Sequence, residues 1–288
     1  MVALDTSLDN PLEAAARQRR LGTIMWLALA WLAIVFGAAV FADLLPLPSP
    51  YEMDMLSRRM PPDAEHLLGT DGLGRDMLAR VIFGARTSLT VGIVSASIGL
   101  ILGGAIGMLA GYLGGRFEVL TMASLDVLLA FPPLVLALAI TAYLGVSVFN
   151  LTMTIGFLSI PPFARVARAT TLSLARRDFV TAARALGATH SRILTRELLP
   201  NVLLPLSAFY LIAVAVTIVV EGALSLLGLG VPPPQASWGS MIGEGRESLE
   251  LAPWLSFIPA GVMFLTVLSF NFVGDRLRAL TDPRPGAL

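Results

Sequence analysis

Long uncharged stretches alternate along this chain with short clusters of charge. Residues 22–42 carry no charge between Arg20 and Asp43. A helix needs about 20 apolar residues to cross about 30 Å of hydrocarbon, so this run predicts a first membrane span. A cleaved signal peptide would have an apolar region of about 7–15 residues and a small-residue cleavage site. The run is longer and offers no convincing site. Residues 87–115 predict a second span. Residues 127–164 form an uncharged run of 38 residues, too long for one crossing. Turn-forming residues at 145–150 divide it, which predicts spans over 118–143 and 148–170. Residues 198–220, continuing past Glu221, and 251–274 complete a set of six.

Arginine sets the orientation, because cytoplasmic loops carry the excess of basic residues. With the N-terminus inside, the inner pieces hold 14 arginines (17, 19, 20, 116, 165, 168, 176, 177, 184, 192, 196, 276, 278 and 284). The outer pieces hold 6 (58, 59, 75, 80, 86 and 246). The inverted arrangement would put the larger set outside and is rejected. The expected organisation is a cytoplasmic tail over 1–21, a first span over 22–43, an external segment over 44–86 and a five-span core over 87–285. In the tail, Asn10 can cap a short helix with Pro11 at its first position and Glu13 three residues after the cap. Glu13 and Arg17 are spaced to pair on one face.

Composition agrees with a bilayer as solvent. The chain is 56% hydrophobic and 14% charged, against about 25% charged in soluble domains, and its mean hydropathy is +0.77. Net charge is zero, so no bulk attraction to nucleic acid arises. There is no cysteine, which excludes disulfides, cysteine-ligated zinc and thiol catalysis. There is also no lysine; all 20 basic residues are arginine. A phosphate-binding Walker loop needs a lysine and Schiff-base chemistry needs its amine. If ATP drives this protein, another chain hydrolyses it.

Two polar segments carry pattern. Outside, Leu68-Gly69-Thr70-Asp71-Gly72-Leu73-Gly74-Arg75-Asp76 has neither the glycine spacing nor the preceding strand of a phosphate loop. It also lacks the alternating oxygen ligands of a calcium loop. It predicts a tight turn pinned by Asp71, Arg75 and Asp76, leading into an interfacial helix. Inside, 176–200 reads as helix, turn, helix. Asp178 is a candidate cap, Thr181 falls in the first turn, and Ala182, Ala183, Ala185 and Leu186 favour helix. Gly187 suits the left-handed position that ends a helix. Thr189 caps a second short helix that runs to Leu199 and breaks at Pro200. Phe179, Ala182, Ala183 and Leu186 make a small, apolar face flanked by Arg176, Arg177 and Arg184. Such a face suits a groove on a soluble partner, and an ordinary basic loop near lipid headgroups is the plainer alternative.

The pattern Ala182-Ala183-x3-Gly187-x11-Leu199-Pro200 resembles the EAA loop of ABC-importer permeases. Thr181 stands where that family usually has Glu, and Glu197 where it usually has an apolar residue. Further segments resemble the dipeptide, oligopeptide and nickel branch: 68–86, Asp126-x3-Ala130-Phe131-Pro132, Ser225-Leu-Leu-Gly-Leu-Gly230 with Trp238-Gly239, Phe270-Asn271-x2-Gly274-Asp275-x-Leu277-Arg278, and Asp282-Pro283-Arg284. Together they span nearly the whole chain and are similar to the C-type permease of these importers. The resemblance implies an all-α integral membrane protein of six transmembrane helices in the type I importer arrangement, with cytoplasmic termini, in the bacterial inner or plasma membrane. It implies no cofactor in this chain, with ATP and Mg bound by partner subunits. It also implies a second homologous permease subunit, ATP-binding subunits that dock on 178–200 (Asp178, Thr181, Ala182, Ala183, Arg184, Leu186, Gly187, Leu199, Pro200), and an extracytoplasmic peptide-binding protein. Nickel or glutathione-like substrates are the alternatives to peptides.

Asp126 and Glu221 lie within apolar runs. A charge at mid-bilayer costs at least about 2.5 kcal/mol and therefore faces protein or water. Each is a candidate for the substrate pathway or for an interhelical hydrogen bond. Asp126 lies toward the cytoplasmic side and Glu221 near the outer end. His66 and His190 fall on opposite sides and share no metal. Gly103, Gly104, Gly107, Gly111, Gly114 and Gly115 are expected to let the second span approach a neighbour closely. Two other classes fit less well. A secondary transporter would show inverted repeats and broken helices. An intramembrane hydrolase would need GxSxG, a cysteine or a partner for Asp126.

Overall fold

The computed structural model describes residues 11–281, with side chains from 22 to 279. Asn10, the side chains of Glu13 and Arg17, and the segment from Asp282 onward lie outside the described residues. The regular structure of the described chain is helical; residues 45–76 form a long irregular segment that holds one isolated bridge, Thr70 to Asp76. Helix α1 spans Pro11–Val40 without interruption, so the tail helix and the first span are one element.

The second span is longer than its uncharged run. Helices α2 (Met77–Ile98) and α3 (Gly104–Leu113) are joined by a π-helical stretch, Gly99–Gly103, into 37 continuous residues. At 1.5 Å per residue that is about 55 Å, so its first turns stand outside a bilayer. No separate interfacial helix precedes it. Asp76 caps α2 by accepting from Ala79 N–H at 2.8 Å. The third span is broken. Helices α4 (Gly115–Leu129) and α5 (Pro133–Leu144) meet at 82°, because Pro132 and Pro133 supply no N–H to continue the ladder.

Helix α6 (Val148–Leu174) starts on Ser147, whose hydroxyl accepts from Asn150 N–H at 3.0 Å. It runs 27 residues through Pro161 and Pro162. The short α7 (Asp178–Ala185) is followed by a second long rod of 37 residues. That rod is α8 (His190–Arg192), a π-helical stretch Ile193–Leu198, and α9 (Leu199–Leu226). The predicted break at Pro200 does not occur. A proline ring collides with the carbonyl four residues back in a regular helix. Here Pro200 sits in the first turn of α9, just past the wider π turn, and the Asn201 amide side chain donates to Glu197 O at 2.7 Å. Helices α10 (Trp238–Arg246) and α11 (Trp254–Thr281) complete the fold.

Four of these helices are long and apolar enough to cross a membrane, or five if the bent pair counts as one span. Helix α6 is equally long but carries Asn150, two prolines, Arg165 and Arg168. Packing centres on α2–α3, α6, α9 and α11. Glycines at four-residue spacing let α2–α3 lie against α6. A Cβ on Gly99 would fall 2.6 Å from Phe163 Cδ2, one on Gly103 2.9 Å from Phe163 Cβ, and one on Gly111 2.8 Å from Arg168 O. Gly104 faces only Leu206 at 3.5 Å, and Gly114 and Gly115 adopt positive φ to turn the chain into α4. Of the six glycines expected to pack, Gly103, Gly107 and Gly111 do so. Helix α1 leans on α11 through Phe36 and Phe270, whose centroids are 6.2 Å apart, and through the Trp31 indole N–H, which donates to Thr266 Oγ1 at 3.1 Å.

Candidate functional site

Helix α7 and its flanks form a compact knuckle between α6 and α9. Arg177, not Asp178, occupies the cap position; Asp178 is the first helical residue, where a carboxylate still favours the helix N-terminus. The helix ends on Gly187 at φ +79. Gly187 N–H donates to Arg184 O at 2.9 Å and Ala188 N–H to Ala183 O at 3.0 Å. This 5→2 and 6→1 pair is a Schellman stop. Thr189 then caps the next helix, accepting from Arg192 N–H at 3.3 Å.

The knuckle is bolted down by Val180, Ile193 and Leu198, all buried, against Met108, Tyr112 and Leu174. Tyr112 is the cradle. Its hydroxyl lies 2.8 Å from His190 Nδ1, and the Arg184 guanidinium sits 5.4 Å above its ring. The apolar face expected from the sequence is therefore split. Ala183 turns toward the body, while Phe179, Ala182 and Leu186 point outward, Leu186 at 88% exposure. Val180, not singled out from the sequence, is the anchor. Thr181 and Pro200 are exposed and Leu199 is half-buried.

The two carboxylates in apolar runs have different surroundings. Asp126 on α4 is about half exposed, and Arg165 of α6 donates from Nη2 to its Oδ1 at 2.6 Å. Nearby, Arg168 Nε donates to Glu118 Oε1 at 2.6 Å. Glu221 is wholly buried. It accepts hydroxyls from Ser88 at 3.0 Å, Ser225 at 2.8 Å and Ser237 at 2.8 Å. Ser88 Oγ in turn accepts from Trp238 N–H at 3.1 Å, and the Trp238 indole donates to Val81 O at 3.1 Å. Glu221 thus ties α2, α9 and α10 together and reaches no open surface of this chain. Of the two roles open to it from the sequence, substrate pathway or interhelical hydrogen bond, this geometry supplies the contacts of the second.

Between α1 and α2 the expected turn is present and reaches further than expected. Asp71 accepts from Leu73 N–H at 2.8 Å, Arg75 N–H at 3.0 Å and Arg75 Nε at 2.6 Å. Arg75 and Arg80 both donate to Glu244 Oε2 of α10 at 2.9 Å. These residues line a cavity of about 440 Å3. Sequence reasoning missed Arg80 and Glu244 as partners because 164 positions separate them. Gly74, at φ +77, lies against Asp54. His66 pairs with Asp76 at 3.0 Å. Backbone N–H groups of His66 and Glu65 hold the Asp63 carboxyl below its ordinary range.

Comparison with known proteins gives this geometry a context. The family model for the binding-protein-dependent transport system inner membrane component matches residues 103–286, more than half of the chain. A candidate peptide transport system permease of Brucella suis is 39% identical over 275 residues, covering 96% of this chain and 93% of that protein. The dipeptide transport system permease of Alkalihalophilus pseudofirmus is 36% identical over 275 residues, 96% of this chain and 90% of that one. The glutathione transport system permease of Pectobacterium atrosepticum is 38% identical over 256 residues, 89% and 84%. A chain of an inward-facing methionine ABC transporter superposes with a TM-score of 0.60 at 17% identity, over 72% of this chain and 98% of that chain. At that identity it shows the fold alone. An all-α chain with several apolar spans and these relatives belongs to the binding-protein-dependent transport system inner membrane components, and is a multi-pass permease subunit of an ABC importer.

Proposed function

We propose that this chain is half of the membrane pathway of an importer for peptides, and that it takes its drive from a separate ATPase gripping residues 178–200. The observation that carries the coupling role is the knuckle itself. Its outer face presents Phe179, Ala182 and Leu186 to solvent, while Val180 and the Tyr112 cradle join it to the ends of α3 and α6. A push on that face is transmitted to two membrane helices without passing through a flexible linker. Exposed apolar anchors on a short helix suit a groove on a soluble partner. Thr181 has no charge to offer, so docking rests on shape and on Arg176, Arg177 and Arg184.

In this reading the chain crosses six times, counting α6 and treating α4–α5 as one bent span, with both termini cytoplasmic. The excess of arginine in the inner pieces supports that orientation. A second permease subunit completes the pathway, partner subunits bind ATP and Mg, and an extracytoplasmic binding protein delivers the substrate. The names of the relatives support peptides as the substrate class, and one of them supports glutathione, itself a small peptide, as a second reading.

The test is Leu186→Glu in the assembled transporter. The side chain is already in solvent, so the thermal stability of the chain should be unchanged. Co-purification of the ATPase should fall at least tenfold. Retention of a fully coupled ATPase would refute the docking role. Uptake of dipeptides and of glutathione by the same wild-type complex decides the substrate.

A further inference from the structure

The membrane-facing surface of this chain is not uniform. On α1 the exposed positions within the first span include the large apolar Trp26, Leu27 and Ile34. The inner half of α6 is different. Its exposed positions are Arg165, Ala169 and Ser173, spaced four residues apart on one stripe, with no large apolar side chain among them. Arg165 and its partner Asp126 are exposed by 55% and 56%. A charge held against lipid near the bilayer centre costs about 2.5–3.5 kcal/mol even on the mildest scale. Arg165 lies nine residues from the inner end of α6, about 14 Å by helical rise. A charge at such a depth is stable only against water or protein.

One turn further out the same two helices border an apolar cavity of about 240 Å3. Leu129, three residues beyond Asp126 on α4, and Pro162, three residues before Arg165 on α6, both line it. Phe209 and Ala213 of α9 close it from behind. The 82° bend between α4 and α5 lies over it, since Pro133 is also in its wall. The cavity is smaller than the roughly 300–1,000 Å3 of sites that engulf a whole small ligand. It accommodates a side chain.

We infer that the α4–α6 face is a substrate subsite: the Arg165 guanidinium takes a carboxylate of the passing substrate, exchanging it for Asp126, while the apolar cavity one turn outward takes an adjoining apolar side chain. This rests on the reading of the substrate as a peptide. The Asp126–Arg165 pair keeps the guanidinium oriented when no substrate is present, and partial exposure leaves it free to exchange partners. A guanidinium fork matches a carboxylate in two parallel hydrogen bonds. The site therefore favours substrates with a free carboxylate beside an apolar group over small polar ones.

The absence of cysteine from the chain makes the first test direct. Ala169→Cys, Ser173→Cys and, as a lipid-facing control, Leu27→Cys are placed singly in the complete transporter in liposomes and treated with a charged thiol reagent. Labelling at 169 and 173 but not at 27 is expected. Absence of labelling at 169 and 173 means that the second permease covers this face, and overturns the subsite. The second test is uptake of dileucine and diglycine. Arg165→Gln should slow dileucine uptake about tenfold, with Arg165→Lys recovering most of it. Ala213→Leu, which fills the cavity, should slow dileucine and spare diglycine. Equal slowing of both dipeptides by Ala213→Leu, or wild-type uptake in Arg165→Gln, overturns the assignment. A wild-type complex that imports neither dipeptide refutes the peptide reading instead, while the labelling, which needs no substrate, still decides whether the face is wet.

Discussion

Replacing Gly107 with alanine puts a methyl group into the tightest helix contact of the fold. A Cβ there would lie 2.8 Å from both the Cα and the carbonyl carbon of Ala164, and closer still to the carbonyl oxygen. Ordinary contact begins at 3.4 Å, so clearing the carbonyl oxygen requires α3 and α6 to part by about an ångström. Backbone cannot rotate away as a side chain can. A radial gap of about 0.5–1 Å forfeits a quarter to a half of each dispersion contact, and in a bilayer such contacts are a main source of helix association. Overpacking of this kind costs about 1–3 kcal/mol, against roughly 1 kcal/mol gained from replacing glycine in a helix. Gly104 is the internal control. It is three residues away on the same helix and meets only Leu206 Cδ1 at 3.5 Å, so Gly104→Ala should keep the propensity gain without the clash. Thermal unfolding of the purified chain in detergent reads the difference: Gly107→Ala melts below the parent and Gly104→Ala at or above it. Equal melting of the two variants would refute the argument that close backbone approach at Gly107 holds α3 to α6.

Three further outcomes follow from the geometry. Glu221→Ala removes the acceptor of Ser88, Ser225 and Ser237; at about 1–3 kcal/mol for each buried hydroxyl left unpaired, the chain should lose at least about 2 kcal/mol, measured by thermal unfolding. The milder Glu221→Gln should lower uptake of cationic, neutral and anionic peptides in the same proportion, and a charge-dependent change would favour the pathway alternative instead. Gly74→Ala forces a side chain into φ +77 against Asp54, a left-handed conformation costing about 1–2 kcal/mol before the clash; limited proteolysis from the outer side should then cut within residues 44–76. Pro200→Ala should change stability by no more than about 0.5 kcal/mol, because α9 already passes through that position; a large loss would mean that the proline terminates a helix after all.

Much of the architecture is readable along the chain because its causes are local. Residues 22–42 are apolar for the length of a bilayer, and the helix there is long whatever packs on it. Gly187 ends α7 because only glycine enters the left-handed region at little cost, and Thr189 restarts the chain by capping its own next turn. Asp71, Arg75 and Asp76 act within six residues of one another. Errors arise where a local rule meets a tertiary one. Pro200 reads as a breaker, but the π turn before it makes room for its ring. Residues 118–143 read as one span, yet two consecutive prolines fold them through 82°. The faces of α7 are ambiguous because Phe179 and Val180 are both apolar; only contact with Met108 and Tyr112 decides that Val180 is the anchor.

The candidate sites divide in the same way. Glu221 and Asp126 look alike from sequence, each a lone carboxylate in an apolar run. Their difference lies in partners 133 and 39 positions away. One is enclosed by three serine hydroxyls and the other is half open beside Arg165. The cluster of Arg75, Arg80 and Glu244 joins two segments that no periodicity connects. By itself, then, the amino-acid order determined the solvent, the existence of the apolar helices and the glycine stop and threonine restart of the knuckle. Those depend on hydrophobicity, on charge and on interactions within a few residues. Which face of each helix is buried, which charges meet, and where a cavity opens beside Arg165 were decided only when the helices packed, because they depend on contacts between residues far apart in the chain.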